Sequence, residues 1–291
     1  MTVRAPTDSA QLLPDEKIRR ALISLLGDDS EDIAQTIREK ILSYGRASRP
    51  WLEAESLNGD PLTRRRVRSL LKFLHREEAD ERFTTFCQHH GEEFDLEQGI
   101  WLIAQTRHPE INVAAYRALL DDWANRLREA LRPYRKGESQ LAVLNEFLFG
   151  ELGFKGNEQN YYDPENSYLN RVIDQRTGNP ISLCLLFMLI GRRLEMPITG
   201  IGFPGHFLCR YQNSLEEHYI DAFNQGKLLS KAQCMQYLKR NGLGVREGYL
   251  VPISARRVLL RICANLHQIF LQLSEHDEAA RVQRYLVALA K

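Results

Sequence analysis

The run of residues 181–190 constrains this chain more than any other feature, because Ser182 is its only polar member. Pro180 is a helix start signal at one end of the run, and Pro197 is a stop signal beyond the other end. A helix without a polar face is buried on most sides, so we predict a helix from Pro180 or the next residue to about Glu195 at the centre of its domain. The run is about half of the ~20 apolar residues that cross a bilayer, which favours a protein outside the membrane.

The hydrophobic pattern changes from a helical period to a two-residue period after Pro197. It predicts strands over 198–203, 206–211 and 218–223, with a hairpin loop at 212–215 between the last two. A buried helix followed by a strand meander is an α+β arrangement. We therefore expect an α+β core that consists of one buried helix and an antiparallel sheet.

Helices are predicted before this core. Apolar residues recur at three- and four-residue steps from Asp15 onward, and two of the predicted helices cover about 61–77 and 78–90. The first two helices are similar to one helix pair of a HEAT protein. A plain helical bundle explains the same spacing, and both interpretations stay open.

A helical hairpin is predicted after the core. The segment NLHQIFLQLSEHDEAARVQRYLVALA resembles one tetratricopeptide helix pair, which cannot bury its apolar face alone. We expect it to pack on the preceding domain. The predicted domains are a helical domain over 1–135, an α+β core over 136–250, and the helical hairpin over 251–291.

Charge and cysteine usage exclude several function classes. Lysine and arginine number 39 and aspartate and glutamate 38, so the formal net charge of +1 argues against broad binding to nucleic acid or an anionic membrane. The sequence has neither a glycine-rich phosphate loop nor a Cys-x-x-Cys pair, so we expect no cofactor and no metal site. Five widely spaced cysteines fit reduced thiols, and the N-terminus has no apolar secretion signal, which together predict a cytoplasmic protein.

The predicted hairpin brings an imidazole and a carboxylate together. A loop at 212–215 pairs Tyr211 with Glu216, and the same register sets His206 opposite Asp221. Facing side chains in an antiparallel pair have Cβ atoms roughly 4.5–5.5 Å apart, close enough for a hydrogen bond. The carboxylate would fix the tautomer of the ring and favour its charged form. These two groups are the His–Asp half of a nucleophilic triad.

The start of the buried helix is the natural place for a nucleophile. A helix N-terminus carries positive partial charge and free N–H groups, which lower a thiol pKa and bind an oxyanion. Ser182 and, half a turn deeper, Cys184 are the candidates. A cysteine within an all-apolar helix is also well explained as a core thiol.

Several sequence runs resemble the SirB-type branch of the transglutaminase-like, papain-related superfamily. These runs are LNEFLFGELGFKGN, YYDPENSYLNRVI, RTGNPISLCLLF, GIGFPGHFLCRY and YIDAFNQGKLL. The resemblance is dense over about 141–232 and looser in the helical part before it. It implies a central helix followed by a strand with the catalytic histidine and a strand with the catalytic aspartate, and it assigns those roles to His206 and Asp221.

This sequence departs from the active family pattern at the nucleophile. Active members resemble G-x-C followed by a long helix that ends in Leu-Gly-(Ile/Met)-Pro. Counting back from LEMP at 194–197, the cysteine position falls at about Pro180, within GNPISLC. Proline carries no nucleophile, so Ser182 serves only if the helix start shifts, and Cys184 only if the register slips by four.

Three functional hypotheses follow. The first is a transglutaminase-like protein with a degenerate site that binds another protein or a peptide through its helical ends, in an interaction or regulatory role. The second is a Cys- or Ser-dependent acyl-transfer enzyme, a peptidase or amidase, that uses the His206–Asp221 pair. The third is a regulatory protein whose cleft binds a small ligand without chemistry. The sequence leaves the oligomeric state open.

Overall fold

The computed structural model describes residues 14–57, 59–89, 94–134, 137–242 and 246–290. The chain divides into two compact units, of which the first ends at Asp80 and the second begins at Glu81. Each unit is described by itself below. The three predicted domain ranges remain a prediction.

Unit 1 is helical. Its elements are α1 (Glu16–Leu26), α2 (Glu31–Leu42), α3 (Arg49–Glu55) and the first part of α4 (Pro61–His89). Asp15 caps α1, because its Oδ1 accepts a hydrogen bond from the Ile18 N–H at 2.8 Å. The predicted break between 77 and 78 is wrong, since α4 continues as one helix and has no glycine or proline after its first residue. The core of this unit is Leu22, Leu26, Ile41, Leu52, Val67, Leu70, Leu71 and Leu74.

Unit 2 combines helices with two small sheets. Its helices after α4 are α5 (Leu96–Arg107), α6 (Val113–Leu131), α7 (Glu138–Asn145), α8 (Leu169–Gln175), α9 (Pro180–Arg193), α10 (Lys231–Arg240), α11 (Ala255–Gln272) and α12 (His276–Ala290). Its strands are β1 (Lys155–Gly156), β2 (Thr177–Gly178), β3 (Ile198–Ile201), β4 (Leu208–Gln212), β5 (Glu217–Asp221) and β6 (Lys227–Leu229). The α+β class predicted from the sequence is confirmed.

Helix α9 lies at the centre of unit 2, as its lack of a polar face predicts. It begins at Pro180 and ends at Arg193, two residues before the predicted end. Eleven of its residues are buried, and Phe187 has one of the largest fully buried side chains of the described residues. The helix contacts α6, α8, β3 and β4, so the core forms around it.

The main sheet is an antiparallel meander in the order β3-β4-β5-β6. Three of these strands match the predicted ones, and β6 was not predicted. The predicted hairpin register is wrong, because Tyr211 pairs with His218 rather than with Glu216. Asn213 explains the shift, since its Oδ1 accepts hydrogen bonds from the N–H groups of Leu215 and Glu216 and so sets the turn one residue later.

The C-terminal helices α11 and α12 pack on each other and share one hydrophobic core with α5 and α9. Leu266, Phe270, Ala279 and Tyr285 are buried in this core, as a helix pair with small and large packing positions requires. Leu273, which directly follows α11, is 46% exposed. The hairpin is therefore an integral layer of unit 2.

Candidate functional site

His206 and Asp221 form a hydrogen bond at one end of the sheet. His206 Nε2 lies 2.9 Å from Asp221 Oδ1. His206 precedes β4 by two residues, and Asp221 is the last residue of β5. In the observed register Asp221 is level with position 208, so the two side chains share a face as diagonal neighbours rather than as a directly opposed pair.

The surroundings of Asp221 keep its carboxylate ionised. Burial raises the pKa of Asp221, but the hydrogen bond and charge of His206 and two hydrogen bonds from Asn224 lower it more, so the net pKa lies below the usual value. Asn224 Nδ2 donates to Oδ2 at 2.7 Å, and the Asn224 N–H donates to Oδ1 at 3.2 Å. An ionised carboxylate only accepts, so His206 Nε2 carries the shared proton and Nδ1 remains to exchange a proton.

Asn224 and Phe223 are site residues that sequence reasoning missed. Asn224 stands three residues after Asp221, a spacing at which an aspartate side chain commonly accepts a hydrogen bond from a following backbone N–H, and this signal could have identified it. Phe223 lies edge-on to the imidazole of His206, with ring centroids 6.2 Å apart. Tyr161 lies edge-on to Phe223 on its other side, at 5.8 Å. The two aromatic rings therefore form a wall beside the imidazole.

The start of α9 is held by a capping box between Asn179 and Ser182. Asn179 Oδ1 accepts from the Ser182 N–H, and Ser182 Oγ accepts from the Asn179 N–H, both at 3.0 Å. Ser182 Oγ also lies 3.1 Å from the Asn179 carbonyl oxygen, to which it can donate. Both bonding roles of the Ser182 hydroxyl are occupied, and the residue is 1% exposed.

Cys184 lies in the core between α9 and the sheet. The residue is fully buried, and its Sγ is 3.6 Å from the carbonyl oxygen of Phe207. Cys209, on the neighbouring strand, donates from its own Sγ to the Cys184 carbonyl at 3.4 Å. Burial, followed by the contact with Cys184, raises the pKa of the Cys209 thiol. The two cysteines are therefore packed as apolar core groups.

A cleft of about 170 Å³ lies between the start of α9 and the imidazole. Asn179, Pro180 and Ile181 line one side of it, and His206 lines another. Ser182 and Cys184 do not line this cleft. At the first turn of α9, Asn179, Pro180 and Ile181 thus share the cleft with His206, and neither predicted nucleophile does.

Helix α11 supplies a further wall of the cleft. Arg261, Asn265 and Gln268 line it, and sequence reasoning missed all three. Their spacing sets them on one helical face. That signal is present in the sequence, but nothing in it indicates that the C-terminal hairpin folds back on the sheet and the start of α9.

Hydrogen bonds from Asn179 to the loop before α8 hold the start of α9 in place. Asn179 Nδ2 donates to Ser167 Oγ at 2.9 Å, and the Asn179 N–H donates to the Asn166 carbonyl at 3.4 Å. Asn166 in turn donates from Nδ2 to the Asn160 carbonyl at 2.8 Å. This network sets the direction of α9 relative to the cleft.

The described residues offer neither a metal site nor a helix that could span a membrane. No three His, Cys, Asp or Glu side chains among them are placed to share a metal ion. None of the described helices combines the length and the apolar character needed to cross a membrane.

A sheet with a His–Asp pair, packed against the first turn of a buried helix, defines the core of a transglutaminase-like protein. A family model described as "Transglutaminase-like superfamily" matches residues 114–264, more than half of the chain. The chain belongs to this superfamily. No solved structure matches the chain at a significant level.

The chain is also similar to named proteins of bacteria and mammals. It is 34% identical to a UPF0162 protein of Xylella fastidiosa (strain 9a5c) over 186 residues, which cover 62% of this chain and 66% of that protein. It is 28% identical to a UPF0162 protein of Pseudomonas aeruginosa over 60% of this chain and 64% of that protein. F-box only protein 21 of Mus musculus is 34% identical over 46% of this chain and 24% of its own length. The chain thus spans just under two thirds of the length of these two UPF0162 proteins, and none of the three names states a reaction.

Proposed function

We propose that this chain is a transglutaminase-like protein with a degenerate catalytic site, which acts by binding another protein or a peptide. In this proposal the cleft keeps the His206–Asp221 pair as part of a binding surface. Neither Ser182 nor Cys184 acts as a nucleophile. The role is one of interaction or regulation rather than acyl transfer.

The occupation of the nucleophile position by Pro180 carries this proposal. Pro180 and His206 line the same cleft, whereas Ser182 and Cys184 do not. Activating Ser182 would break the capping box that starts α9. Activating Cys184 would move a core thiol away from the Phe207 carbonyl and into the cleft. Both changes disturb packing that stabilises the helix, so we infer that the native state offers no nucleophile.

The helical parts support a binding role. Unit 1 is a set of helices with its own core, and the α11–α12 hairpin forms a layer of unit 2 that reaches the cleft. Helix pairs of the HEAT and tetratricopeptide kinds form extended binding surfaces. We propose, with the SirB-type assignment, that the α11–α12 hairpin is a tetratricopeptide-like pair and that a partner contacts this hairpin as well as the cleft. For unit 1, a HEAT-like pair and a plain helical bundle remain the two interpretations.

The His–Asp geometry supports an alternative, a Cys- or Ser-dependent acyl-transfer enzyme. The bond of 2.9 Å between His206 and Asp221 is the arrangement that a general base needs. In this alternative His206 takes the proton of the nucleophile and returns it to the leaving group, while Asp221 orients the ring. The first turn of α9 then holds the oxyanion.

Thiol labelling separates the two proposals. Native wild-type protein is treated with iodoacetamide and with a fluorophosphonate, and the adducts are located by peptide mass spectrometry. The degenerate-site proposal expects no adduct on Cys184 or Ser182.

An introduced cysteine tests whether the cleft can still activate a thiol. Pro180→Cys places a thiol at the first turn of α9 in the cleft, where the helix N-terminus and His206 favour the thiolate, so it should react rapidly with iodoacetamide at neutral pH.

The controls test whether this reactivity comes from the site. Pro180→Ala checks that loss of the proline leaves the fold intact. Pro180→Cys combined with His206→Ala should react more slowly than Pro180→Cys alone, because the imidazole no longer supports the thiolate. Labelling of native Cys184 or Ser182 that His206→Ala abolishes would contradict the proposal and establish the acyl-transfer alternative.

A further inference from the structure

The face of α11 toward the cleft carries three polar side chains in a row. Arg261, Asn265 and Gln268 stand at i, i+4 and i+7, and all three line the cleft that contains His206 and Pro180. The opposite face of α11, with Leu259, Ile262 and Phe270 among others, is buried in the core. The helix is thus fixed by its apolar side while its polar side faces the space beside the imidazole.

The cleft is lined by one positively charged arginine and by no acidic side chain. Arg261 makes no hydrogen bond or ion pair with any described residue, although nearly all other partly buried arginines of unit 2 do. No aspartate or glutamate lines the cleft. Arg261 lies close enough to Tyr161 for its charge to lower the pKa of that phenol, although burial raises this pKa overall. An unpaired guanidinium in a partly enclosed site without acids attracts an anion.

The first turn of α9 adds to this attraction. Asn179, Pro180 and Ile181 line the cleft, so the positive end of a 14-residue helix faces the same space. Pro180 has no N–H, and the Ser182 N–H donates to Asn179. The N–H of Ile181, for which the described residues supply no acceptor, is the remaining donor of this turn.

From these contacts we propose that the cleft binds the carboxylate of a peptide, with Arg261 as its anchor and Asn265 and Gln268 as partners for the adjoining peptide amides. The inference rests on the proposed binding function and names the chemical class of its ligand. A guanidinium fork pairs with a carboxylate through two parallel hydrogen bonds. Carboxamide side chains both donate and accept, which matches the two groups of a peptide unit.

The size and rim of the cleft favour the end of a chain over a whole small molecule. About 170 Å³ is close to the roughly 150 Å³ that holds a benzene-sized group and below the ~300–1,000 Å³ of sites for drug-sized ligands. Tyr161 and Tyr162 at the rim are 39% and 54% exposed and stand edge-to-face with each other. Exposed tyrosines of this kind supply contact area for a peptide outside the cleft at low entropic cost.

A peptide array tests the proposal with the full-length protein. The array carries three matched sets of random heptapeptides: free C-terminal carboxylates without acidic side chains, amidated termini with internal Asp or Glu, and amidated termini without acids. Wild-type protein should retain the first or the second set over the third, and which set it retains identifies the source of the carboxylate. For the retained peptides, Arg261→Met should weaken binding about tenfold or more.

Two variants make the result specific. Arg261→Lys keeps the positive charge but loses the planar guanidinium that bonds a carboxylate twice. Its affinity for the retained peptides should therefore lie between those of wild type and Arg261→Met. Arg257→Met removes an exposed positive charge from the same helix outside the cleft, and it should bind as wild type does. Equal retention of all three sets, no retained peptide, or equal loss in the Arg257 and Arg261 variants would overturn the proposal. The labelling of Ser182, Cys184 and Pro180→Cys reports on the nucleophile alone, so the two proposals fail independently.

Discussion

The two sides of the cleft differ in what their polar groups do. On the sheet side, His206 and Asp221 bond to each other, and the imidazole still lines the open cleft. On the helix side, the hydroxyl of Ser182 and the thiol of Cys184 are both engaged inside the protein and lie outside the cleft. The His–Asp geometry for moving a proton is thus present in a cleft that neither Ser182 nor Cys184 lines.

Pro180 accounts for this difference in physical terms. Proline is favourable at the first position of a helix, because its fixed φ suits the helix and its missing N–H would have no intrahelical partner there. The Asn179–Ser182 capping box stabilises the same turn. The first turn of α9 is therefore well suited to starting a buried helix. On the sheet side, by contrast, the polar side chains of His206 and Asp221 bond to each other at the edge of the cleft.

The largest expected effect is a loss of stability on the helix side. Phe187→Ala removes a fully buried ring from α9 and should lower the free energy of unfolding of unit 2 by about 3–5 kcal/mol. Urea unfolding followed by amide hydrogen exchange in α9 measures it. Leu271→Ala is the control within the same unit, since Leu271 is 43% exposed and its truncation should change stability by less than about 1 kcal/mol. Equal effects of the two substitutions would mean that α9 is not the core element described here.

A smaller effect is expected at the first turn of α9. Asn179→Ala removes the cap and leaves the Ser182 N–H and the Ser167 hydroxyl without their partner, so it should lower the free energy of unfolding by about 1–2 kcal/mol. Ser230→Ala removes the exposed capping box of α10 and should have a smaller effect. Urea midpoints of both variants test the order. A larger effect of Ser230→Ala would show that burial does not strengthen the cap of α9.

The sequence predicted the parts of the fold that follow from local pattern. The all-apolar helix, the change of period after it and the C-terminal helix pair each depend on residues close together in the chain. The pairing of His206 with Asp221 was reached through a register that is wrong by two residues. The prediction that the two side chains lie on the same face of the sheet is nevertheless correct, because a shift of two residues along a strand does not change the face to which a side chain points.

Other parts of the site depend on contacts that no local pattern contains. Arg261 lines the cleft together with the first turn of α9, and the expectation that the C-terminal hairpin packs on the preceding domain did not say which surface it covers. Strand β6 has three residues, too few for a period-two signal. The sequence analysis divided α4 between residues 77 and 78, although no residue there breaks a helix.

The smallest expected effect concerns the sheet side and depends on pH. The pKa of Asp221 is lower in the folded state than in the unfolded chain, so the pair contributes stability above the unfolded value of about 4 and loses it as the pH falls through the folded value. Asp221→Asn removes this contribution, so wild type should be the more stable protein at pH 6, and the difference should shrink as the pH falls below about 4. Urea unfolding at pH values from 6 to below 4 measures this difference in stability.

Two further variants test which neighbour lowers the pKa of Asp221. His206→Ala should remove most of the pH dependence of stability, and Asn224→Ala a smaller part, because His206 acts on the carboxylate through both charge and a hydrogen bond. A difference between wild type and Asp221→Asn that stays constant with pH would mean that the carboxylate is not held ionised by its neighbours, and the contrast between the two sides of the cleft would then lose its electrostatic basis.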